Sequence, residues 1–398
     1  MTGTGLPAAL PFVPCGDLAG VPHVVVDGAA GPSTVLSLSH WPRSPTPPAL
    51  ARDLSAEIAF AYLSSARWWS ADAVAVTNDH VDQDGLASLY ALVDPENARR
   101  HERTLVEIAR VGDFAVVDDD ETAQLAFALA VLGDPERSPL RSGTPPAGSG
   151  GASGAGDAWS RTCYPVLLAL VPELLERPER FAELGADERV ALEQSRNVLA
   201  RGRATISEVP GAALAVVSVD ASVTQVPASR FCRAVSGPLH PAVIHGATAA
   251  PRILVAHGRR YRYYDRYETW VRLGTRKLPL RRDLEALARH LTALEGSATA
   301  WRADPPGALE PGLYHAQGEE SSLELDRVVE VLVDGLTSTP VAWDPFSGGP
   351  PPSPGDRRRR RVRTWWPRDP DGGAAGERSV SGPAASTTGT SGRGRSRS

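Results

Sequence analysis

The sequence has few cysteines, a single lysine and no long hydrophobic run. Its three cysteines, Cys15, Cys163 and Cys232, form no Cys-x-x-Cys pair, which excludes a disulfide scaffold and a cysteine-rich zinc site. The apolar runs, such as the one at 165–171, are far shorter than the roughly 20 residues that span a membrane. The N-terminal segment also lacks the basic start of a signal peptide. These absences predict a soluble, cytoplasmic protein without a membrane partner.

Charge is distributed unevenly along the 398 residues. Residues 357–398 contain eleven arginines and three acidic residues, a net charge of +8, so residues 1–356 carry about −13. The acidic body argues against a general nucleic-acid coat, because phosphate backbones require clustered cations. From residue 344 onward glycine, proline, serine and arginine dominate. We therefore predict a disordered basic tail over residues 344–398.

The N-terminal third alternates between strand and helix patterns. Strands are predicted at residues 21–26, 34–38 and 73–77, and a helix is predicted from about residue 49. The third strand is apolar on both faces, which is typical of a covered parallel sheet. Residues 1–137 are therefore predicted to form a layered α/β domain with a mainly parallel sheet.

The rest of the folded chain is predicted to divide into a linker and a second region. Residues 138–158 are rich in glycine, serine and proline, which predicts a flexible linker or surface loop. Residues 159–343 combine helical periodicity with a β-rich block, which predicts an α+β region. A strand predicted over 261–273 alternates tyrosines with arginines, and a turn at 257–259 is predicted to join it to the preceding strand as a hairpin.

The most informative segment, residues 73–92, reads AVAVTNDHVDQDGLASLYAL. A buried strand delivers Asp82 and Asp84 to the carboxyl edge of the sheet, where α/β folds usually build their sites. Alternation places His80 on the same side, and Ser88 is expected in the first turn of the next helix, where hydroxyls favour anions. Carboxylates with an imidazole suit Mn²⁺ or Mg²⁺, and such a metal could polarise a phosphoryl oxygen.

This segment resembles the first motif of the DHH-type phosphoesterases, in which a hydrophobic strand leads into Asp-x-Asp-Gly-x-x-Ser. The resemblance implies metal ligation by Asp82 and Asp84, with His80 in the upstream ligand position. The later Asp-His-His signature is absent, because no two histidines are adjacent in the chain. Asp113 or the Asp118–Asp120 run is the candidate for the aspartate that follows the family's second strand. The segments HVVVDG, LSHWP and DHVDQDG together also resemble an uncharacterised actinobacterial family, a likeness that implies no activity.

Other polar residues are candidates for the same edge of the sheet or for substrate binding. His40 lies in the loop after the second predicted strand and is predicted to bind substrate, although a packed Trp41 anchoring the turn is the simpler interpretation. Asp27 could join this edge, but Asp-Gly is also an ordinary turn. Arg262 and Arg266 carry guanidinium forks that match phosphate geometry, and their alternative role is a salt-bridged outer face.

The sequence thus predicts a divalent-metal-dependent, phosphoesterase-like hydrolase that acts on a phosphorylated small molecule or short oligonucleotide. His80, Asp82 and Asp84 are the predicted catalytic and metal residues, and Asp113 is predicted to complete the metal shell. The cofactor is predicted to be Mn²⁺ or Mg²⁺. One alternative is a non-catalytic ligand- or nucleotide-binding protein of a degenerate DHH-like fold, which kept the acidic loop but lost the other ligands. For Asp82 and Asp84 themselves, the alternative is a solvated acidic turn that caps a helix. A third hypothesis is a structural interaction protein whose β-rich second region carries the partner surface.

Overall fold

A computed structural model of the protein provides the coordinates. It describes residues 5–135, 138–141, 154–226, 237–296, 301–315, 318 and 320–347. The predicted tail from residue 348 onward and most of the predicted linker lie outside the described residues. The end of that linker differs from the prediction, because a helix already begins at Gly154.

The described residues form ten α-helices and eleven β-strands. The helices are α1 (Ser55–Leu63), α2 (Gln83–Val93), α3 (Pro95–Arg100), α4 (Glu102–Phe114), α5 (Asp120–Leu132), α6 (Gly154–Glu176), α7 (Ala186–Ala200), α8 (Pro241–Ala247), α9 (Leu284–Glu295) and α10 (Leu325–Ser338). The strands are β1 (His23–Val26), β2 (Thr34–Leu38), β3 (Ala75–Thr77), β4 (Ala204–Val209), β5 (Leu214–Val219), β6 (Arg252–His257), β7 (Arg260–Asp265), β8 (Arg281–Arg282), β9 (Trp301–Ala303), β10 (Gly312–His315) and β11 (Val341–Trp343).

The first sheet contains three parallel strands in the order β2-β1-β3. The central strand β1 is buried along its whole length, as its run of valines predicts. Helices α1, α2, α4, α5 and α6 contribute to the hydrophobic core around this sheet. The predicted α/β class with a parallel sheet is confirmed. Because the strands are parallel, their carboxyl ends meet at one edge.

The second sheet is mixed and contains six strands in the order β4-β5-β6-β7-β10-β9. Strands β5 and β6 are parallel, and the other neighbouring strands are antiparallel. The predicted hairpin joins β6 to β7, and Gly258 adopts the positive φ of +58° that this tight turn requires. Helices α9 and α10 pack on one face of this sheet.

The strand predicted over 261–273 ends at Asp265. Arg266 and Glu268 form a buried ion pair there, and a single turn of 3₁₀ helix follows at Tyr267–Thr269. The chain then continues into the core of the first sheet, where Trp270 is fully buried. This departure from the predicted strand brings the second region against the first. Among the described residues, the helices are too short or too polar to span a membrane.

Candidate metal centre

Acidic and histidine side chains follow all three strands of the first sheet. Asp27 comes directly after β1, and His40 lies two residues after β2. Residues 78–82 connect β3 to α2, whose first turn carries Asp84. Asp27 has a φ of +42°, a left-handed conformation that aspartate tolerates better than most residues. Because these strand ends meet at one edge of the sheet, their side chains converge in one place.

The first group of metal-ligand type consists of Asp27, His40 and Asp84, all buried. His40 Nε2 lies 3.5 Å from Asp27 Oδ1 and 3.8 Å from Asp84 Oδ2. Asp113 Oδ2 approaches the same nitrogen to 3.5 Å. The other ring nitrogen, Nδ1, lies 2.7 Å from the carbonyl oxygen of Asp53, which can only accept a hydrogen bond. The proton therefore belongs on Nδ1, and Nε2 points towards the carboxylates as a metal-binding imidazole nitrogen would.

The distances within this group are too long for ordinary hydrogen bonds, whose heavy atoms lie about 2.7–3.2 Å apart. Ligand atoms that share a cation at about 2.1 Å are separated by about 3.0–3.4 Å, depending on the coordination geometry. The spacing of His40 and its acidic neighbours is close to that separation. The carboxylate oxygens around His40 Nε2 are therefore spaced more like fellow ligands of a cation than like hydrogen-bond partners of that nitrogen.

The second group consists of Asp27, His80 and Asp82. His80 Nε2 lies 3.3 Å from Asp27 Oδ2 and 2.8 Å from Asp82 Oδ2, while its Nδ1 lies 3.0 Å from Asp79 Oδ1. A carboxylate behind a ligating histidine is the usual support of such a ligand. Asp27 thus belongs to both groups, with Oδ1 facing His40 and Oδ2 facing His80.

Asp84 is fully buried and caps the start of α1. Its carboxylate accepts hydrogen bonds from the backbone N–H groups of Ser55, at 2.8 Å, and Ala56, at 2.7 Å. The helix predicted from about residue 49 therefore begins at Ser55, where a carboxylate meets the positive end of its dipole. Burial and the charge of Asp27 raise the pKa of Asp84 well above its usual value, although the two N–H groups oppose that shift.

The imidazole of His80 experiences two opposing effects. Burial lowers its pKa, but the carboxylates of Asp82, Asp27 and Asp79 together raise that pKa well above its ordinary value. Without a cation, both His80 and Asp84 therefore hold protons to a higher pH than they would in an unfolded chain. A divalent cation would take the place of these protons, since metal ligands must be deprotonated.

The loop that carries His80 is held by Asn78 and Tyr164. Asn78 Nδ2 donates to the carbonyl oxygens of Val26 and Asp27, both at 3.0 Å, and Asn78 Oδ1 accepts from the backbone N–H of His80 at 2.7 Å. Tyr164, on α6, donates from its hydroxyl to the carbonyl oxygen of His80. Burial and the nearby carboxylates raise the pKa of Tyr164 well above its usual value, so the hydroxyl remains a donor.

A family model described as a family of unknown function (DUF6687) matches residues 8–346. The chain belongs to the DUF6687 family. The match includes all three strands of the first sheet and every residue of the two groups. No curated protein and no solved structure matches the chain.

Within this DUF6687 chain, the aspartates of the predicted acidic motif cap helices and also belong to the two groups of metal-ligand type. Asp82 is the N-cap of α2, because its Oδ1 accepts from the backbone N–H of Gly85 at 2.8 Å, while its Oδ2 faces His80. Asp84 is not the solvated acid of a simple capping turn, since it is fully buried. Ser88 differs from the prediction: it lies in the second turn of α2, is fully buried, and its Oγ has no hydrogen-bond partner among the described residues.

Asp113 reaches the site from an unexpected element. The resemblance implies an aspartate after a second strand, for which Asp113 and the Asp118–Asp120 run were the candidates, whereas Asp113 lies on α4 beside His40. The Asp118–Asp120 run does not belong to either group. Asp119 caps α5 instead, and Asp120 pairs with Arg196 on the surface.

The two arginines predicted to bind substrate are buried in the second sheet region. Arg262 lies on β7, and burial lowers its pKa to about 10, against the opposing charges of Asp304 and Glu310. Arg266 donates to the carbonyl oxygen of Thr248 at 3.1 Å and pairs with Glu268. The predicted substrate role of both arginines stays a prediction. The groups that surround them are consistent with a structural role for each arginine.

Tyr267 was not foreseen from the sequence. Its hydroxyl lies 3.4 Å from His40 Nε2, and the next segment is tied to the same loop because the backbone N–H of Arg272 donates to the carbonyl oxygen of His40. The alternating pattern had placed Tyr267 on the same face as Tyr261 and Tyr263. Nothing in the sequence signalled that the strand would end before it.

Proposed function

We propose that the chain is a divalent-metal-dependent phosphoester hydrolase whose Mn²⁺ or Mg²⁺ site lies at the carboxyl edge of the first sheet. The observation that carries this proposal is that Asp27 directs one carboxylate oxygen to each of two groups of metal-ligand type. That arrangement is suited to two neighbouring cations sharing one carboxylate. The substrate class is a phosphorylated small molecule or a short oligonucleotide.

The chemistry of the side chains supports a hard divalent cation. The site combines two imidazoles with five carboxylates: Asp27, Asp79, Asp82, Asp84 and Asp113. Carboxylate oxygens and imidazole nitrogens are suitable ligands for Mn²⁺, and carboxylates alone suit Mg²⁺. Like charges buried together are costly unless a cation compensates them. The excess of negative charge therefore favours bound cations over a purely structural role.

When bound, a pair of divalent cations stabilises the attacking and leaving oxygens of a displacement at phosphorus and lowers the pKa of water. The protein orients the ligands, with the Asp53 carbonyl behind His40 and the Asp79 carboxylate behind His80. His80 and Asp82 are 18% and 16% exposed, whereas His40 is completely buried. We expect substrate to approach from the His80 side.

Metal stoichiometry tests the shared role of Asp27. Purified protein would be depleted of metal, titrated with Mn²⁺ and assayed for bound metal and for thermal stability. Wild type should bind two equivalents, one for each group of ligands. His40→Gln should lose one equivalent, Asp82→Asn the other, and Asp27→Asn both. The exposed His290 offers a matched control, since His290→Gln should bind as wild type does.

Turnover separates hydrolysis from binding. With Mn²⁺, wild type should hydrolyse bis(p-nitrophenyl) phosphate or a short oligonucleotide, and Asp27→Asn should lose at least about 100-fold in rate because both cation sites are removed. Metal binding without turnover on any phosphoester would favour the non-catalytic ligand-binding alternative. A folded wild-type protein that binds no divalent metal would contradict the proposal.

A further inference from the structure

Strands β1 and β3 part at the carboxyl edge of the first sheet, where the two groups of ligands lie. The last registered pair of the parallel ladder between them is Val25 with Thr77. Beyond that pair, Asp27 follows β1, while the chain after β3 leaves the sheet as the loop that carries His80. The ladder therefore does not fix the distance between Asp27 and His80, and another contact must do so.

The side chain of Asn78 continues the connection where the ladder stops. Asn78 Nδ2 donates to the carbonyl oxygens of Val26 and Asp27, both at 3.0 Å. Asn78 Oδ1 accepts from the backbone N–H of His80 at 2.7 Å, a bond that asparagine commonly forms with the residue two positions on. One fully buried side chain thus joins the backbone of the shared ligand Asp27 to the backbone of His80.

The partners of this amide determine its orientation. A carbonyl oxygen can only accept a hydrogen bond and a backbone N–H can only donate one, so the NH₂ group of Asn78 must face β1 and its oxygen must face the loop. Aspartate has the same shape but would place an oxygen against two carbonyl oxygens and add another negative charge among the carboxylates. Asparagine therefore suits this position, and aspartate does not.

Gly85, in the first turn of α2, leaves space for the Asn78 amide. A Cβ atom at this position would lie 2.8 Å from Asn78 Nδ2, 2.8 Å from the Tyr164 hydroxyl oxygen and 3.0 Å from Asp82 Oδ1. Such separations are well inside van der Waals contact. Because the φ of Gly85 is not positive, its missing side chain serves this close packing and not an unusual backbone conformation.

The two carboxylate oxygens of Asp27 depend on Asn78 to different degrees. Oδ1, which faces His40, accepts a hydrogen bond from the Ser55 hydroxyl at 2.8 Å, so it is held independently of Asn78. Oδ2 lies 3.3 Å from His80 Nε2. That second separation follows from where the backbones of Asp27 and His80 are held, and Asn78 joins those two backbones.

We infer that Asn78 is the positioning residue of the second group: it holds the shared carboxylate of Asp27 at the spacing from His80 that a common cation requires. This inference rests on the proposed metal-dependent function. It assigns to Asn78 the geometry of the more exposed cation site, the one from whose side we expect substrate to approach.

Two background variants of the full-length protein isolate the two cation sites. In His40→Gln the Mn²⁺ that remains bound reports the second group, and in Asp82→Asn it reports the first. Asn78→Ser is added to each, because the serine hydroxyl can still accept from the His80 N–H but is too short to reach the carbonyl oxygens of β1. Calorimetric titration with Mn²⁺ measures the affinity in each background.

The expected result is selective. In the His40→Gln background, Asn78→Ser should weaken Mn²⁺ binding by about tenfold to a hundredfold, the loss typical when the support of a ligand is removed. In the Asp82→Asn background the affinity should stay unchanged. Gly85→Ala is a second variant, which keeps every polar group but displaces the Asn78 amide. It should also weaken Mn²⁺ binding in the His40→Gln background, and it carries the test if Asn78→Ser does not fold.

Ser195→Ala is the control for a general loss of stability. Ser195 is fully buried on α7, belongs to neither group, donates to the carbonyl oxygen of Ala191 and accepts from the backbone N–H of His240, both at 2.8 Å. Its removal should leave the Mn²⁺ affinity unchanged in both backgrounds. A loss of affinity in Ser195→Ala equal to that in Asn78→Ser would show that metal binding only follows stability, which refutes the inference.

The failure of this inference is distinct from the failure of the proposed function. Unchanged affinity in both backgrounds, equal weakening in both, or weakening of the first group alone would each refute the positioning role of Asn78 and leave the hydrolase proposal intact. A folded wild-type protein that binds no Mn²⁺ would overturn the proposed function, and the inference would fail with it.

Discussion

Both sheet regions bury charged groups, but they do so in opposite ways. In the second region, an opposite charge compensates the buried Arg266, and several oxygen acceptors surround the buried Arg281. Arg266 and Glu268 pair at 2.5 Å, and Arg281 donates to the Thr269 hydroxyl and to the Leu309 carbonyl, both at 2.7 Å. The carboxyl edge of the first sheet instead gathers several carboxylates around two imidazoles, with most separations between 3.3 and 3.8 Å.

Under the proposed function, this difference distinguishes charges that build the fold from charges that await a ligand. A buried arginine with its acceptors in place is costly to remove, because the acceptors are left behind without solvent. Buried like charges raise each other's free energy in the folded state, and such perturbed groups in a cleft mark candidate functional sites. The two regions should therefore respond in opposite directions when their charges are removed.

The largest effect is expected in the second region, for Arg281→Ala. Arg281 is almost completely buried, and the truncation would leave several carbonyl oxygens without their donor. We expect a loss of about 3–5 kcal/mol in the free energy of unfolding, measured by urea denaturation. Arg327, in an exposed pair with Glu330, is the control, and Arg327→Ala should cost less than about 1 kcal/mol. Similar losses in both variants would contradict the structural role of Arg281.

The next largest effect is the pH dependence of the free energy of unfolding in the absence of metal, which depends on titratable groups at the edge of the first sheet. The pKa values of His80 and Asp84 are raised in the folded state. The carboxylates of Asp82, Asp27 and Asp79 raise the pKa of His80. Burial and the charge of Asp27 raise the pKa of Asp84. A group with a raised folded pKa stabilises the protein below its unfolded pKa and loses that contribution as pH rises through the folded pKa. With EDTA, the free energy of unfolding should therefore fall as pH rises. The contribution of Asp84 begins to be lost above about pH 4, and that of His80 above about pH 6.5, the ordinary pKa values of these side chains.

Each proton released contributes a slope of up to about 1.4 kcal/mol per pH unit. Saturating Mn²⁺ should abolish this fall or reverse it, because metal binding competes with protons. Urea denaturation between pH 5 and 9, with EDTA and with Mn²⁺, measures both curves. Asp84→Asn should flatten the EDTA curve. Identical wild-type curves with and without metal would show that these groups do not face a cation.

A smaller effect separates two buried tyrosines. Tyr164 donates to the His80 carbonyl at the proposed metal site, whereas Tyr263 donates to Asp265 within the second sheet at 2.6 Å. Each Tyr→Phe change should cost about 1–3 kcal/mol of stability, because a buried hydrogen bond is lost. Only Tyr164→Phe should also weaken Mn²⁺ binding, by about tenfold or more, as the support of a ligand is removed. Calorimetric titration with Mn²⁺ distinguishes the two, and equal affinities would contradict a supporting role for Tyr164.

Much of the first region follows from the sequence. Buried, valine-rich runs predict parallel strands, and parallel strands require their carboxyl ends to share one edge. From that rule and the alternation along the segment after the third strand, His80, Asp82 and Asp84 were placed together, and Asp27 and His40 were named as residues that could reach the same edge. The structure brings all five together.

The remaining site residues were beyond the reach of the sequence. Tyr164 and Tyr267 arrive from distant segments, whose positions depend on how the second region packs and not on any local pattern. The alternation around Arg262 predicted an exposed arginine face, yet both faces of β7 are covered: Tyr263 lies in one core and Tyr264 in another. Period-two alternation reports which side chains share a face, and it cannot report what covers that face.

The smallest expected effect bears most directly on the comparison, because it concerns a buried charge that the fold should not need. Asp27→Asn keeps the shape of the side chain, and asparagine is at least as well suited as aspartate to a φ of +42°. An asparagine oxygen can still accept the hydrogen bond from the Ser55 hydroxyl. The substitution also removes the charge that helps raise the pKa of Asp84.

In EDTA, Asp27→Asn should therefore lie within about 1 kcal/mol of wild type in the free energy of unfolding, or be more stable, as measured by urea denaturation at neutral pH. Arg281→Ala, measured in parallel, provides the contrast from the second region. A loss for Asp27→Asn as large as that for Arg281→Ala would mean that the acidic edge is structural, because only a charge whose partners are already in place costs that much to remove. Near-wild-type stability combined with lost Mn²⁺ binding would instead show that this carboxylate serves a ligand that arrives after folding.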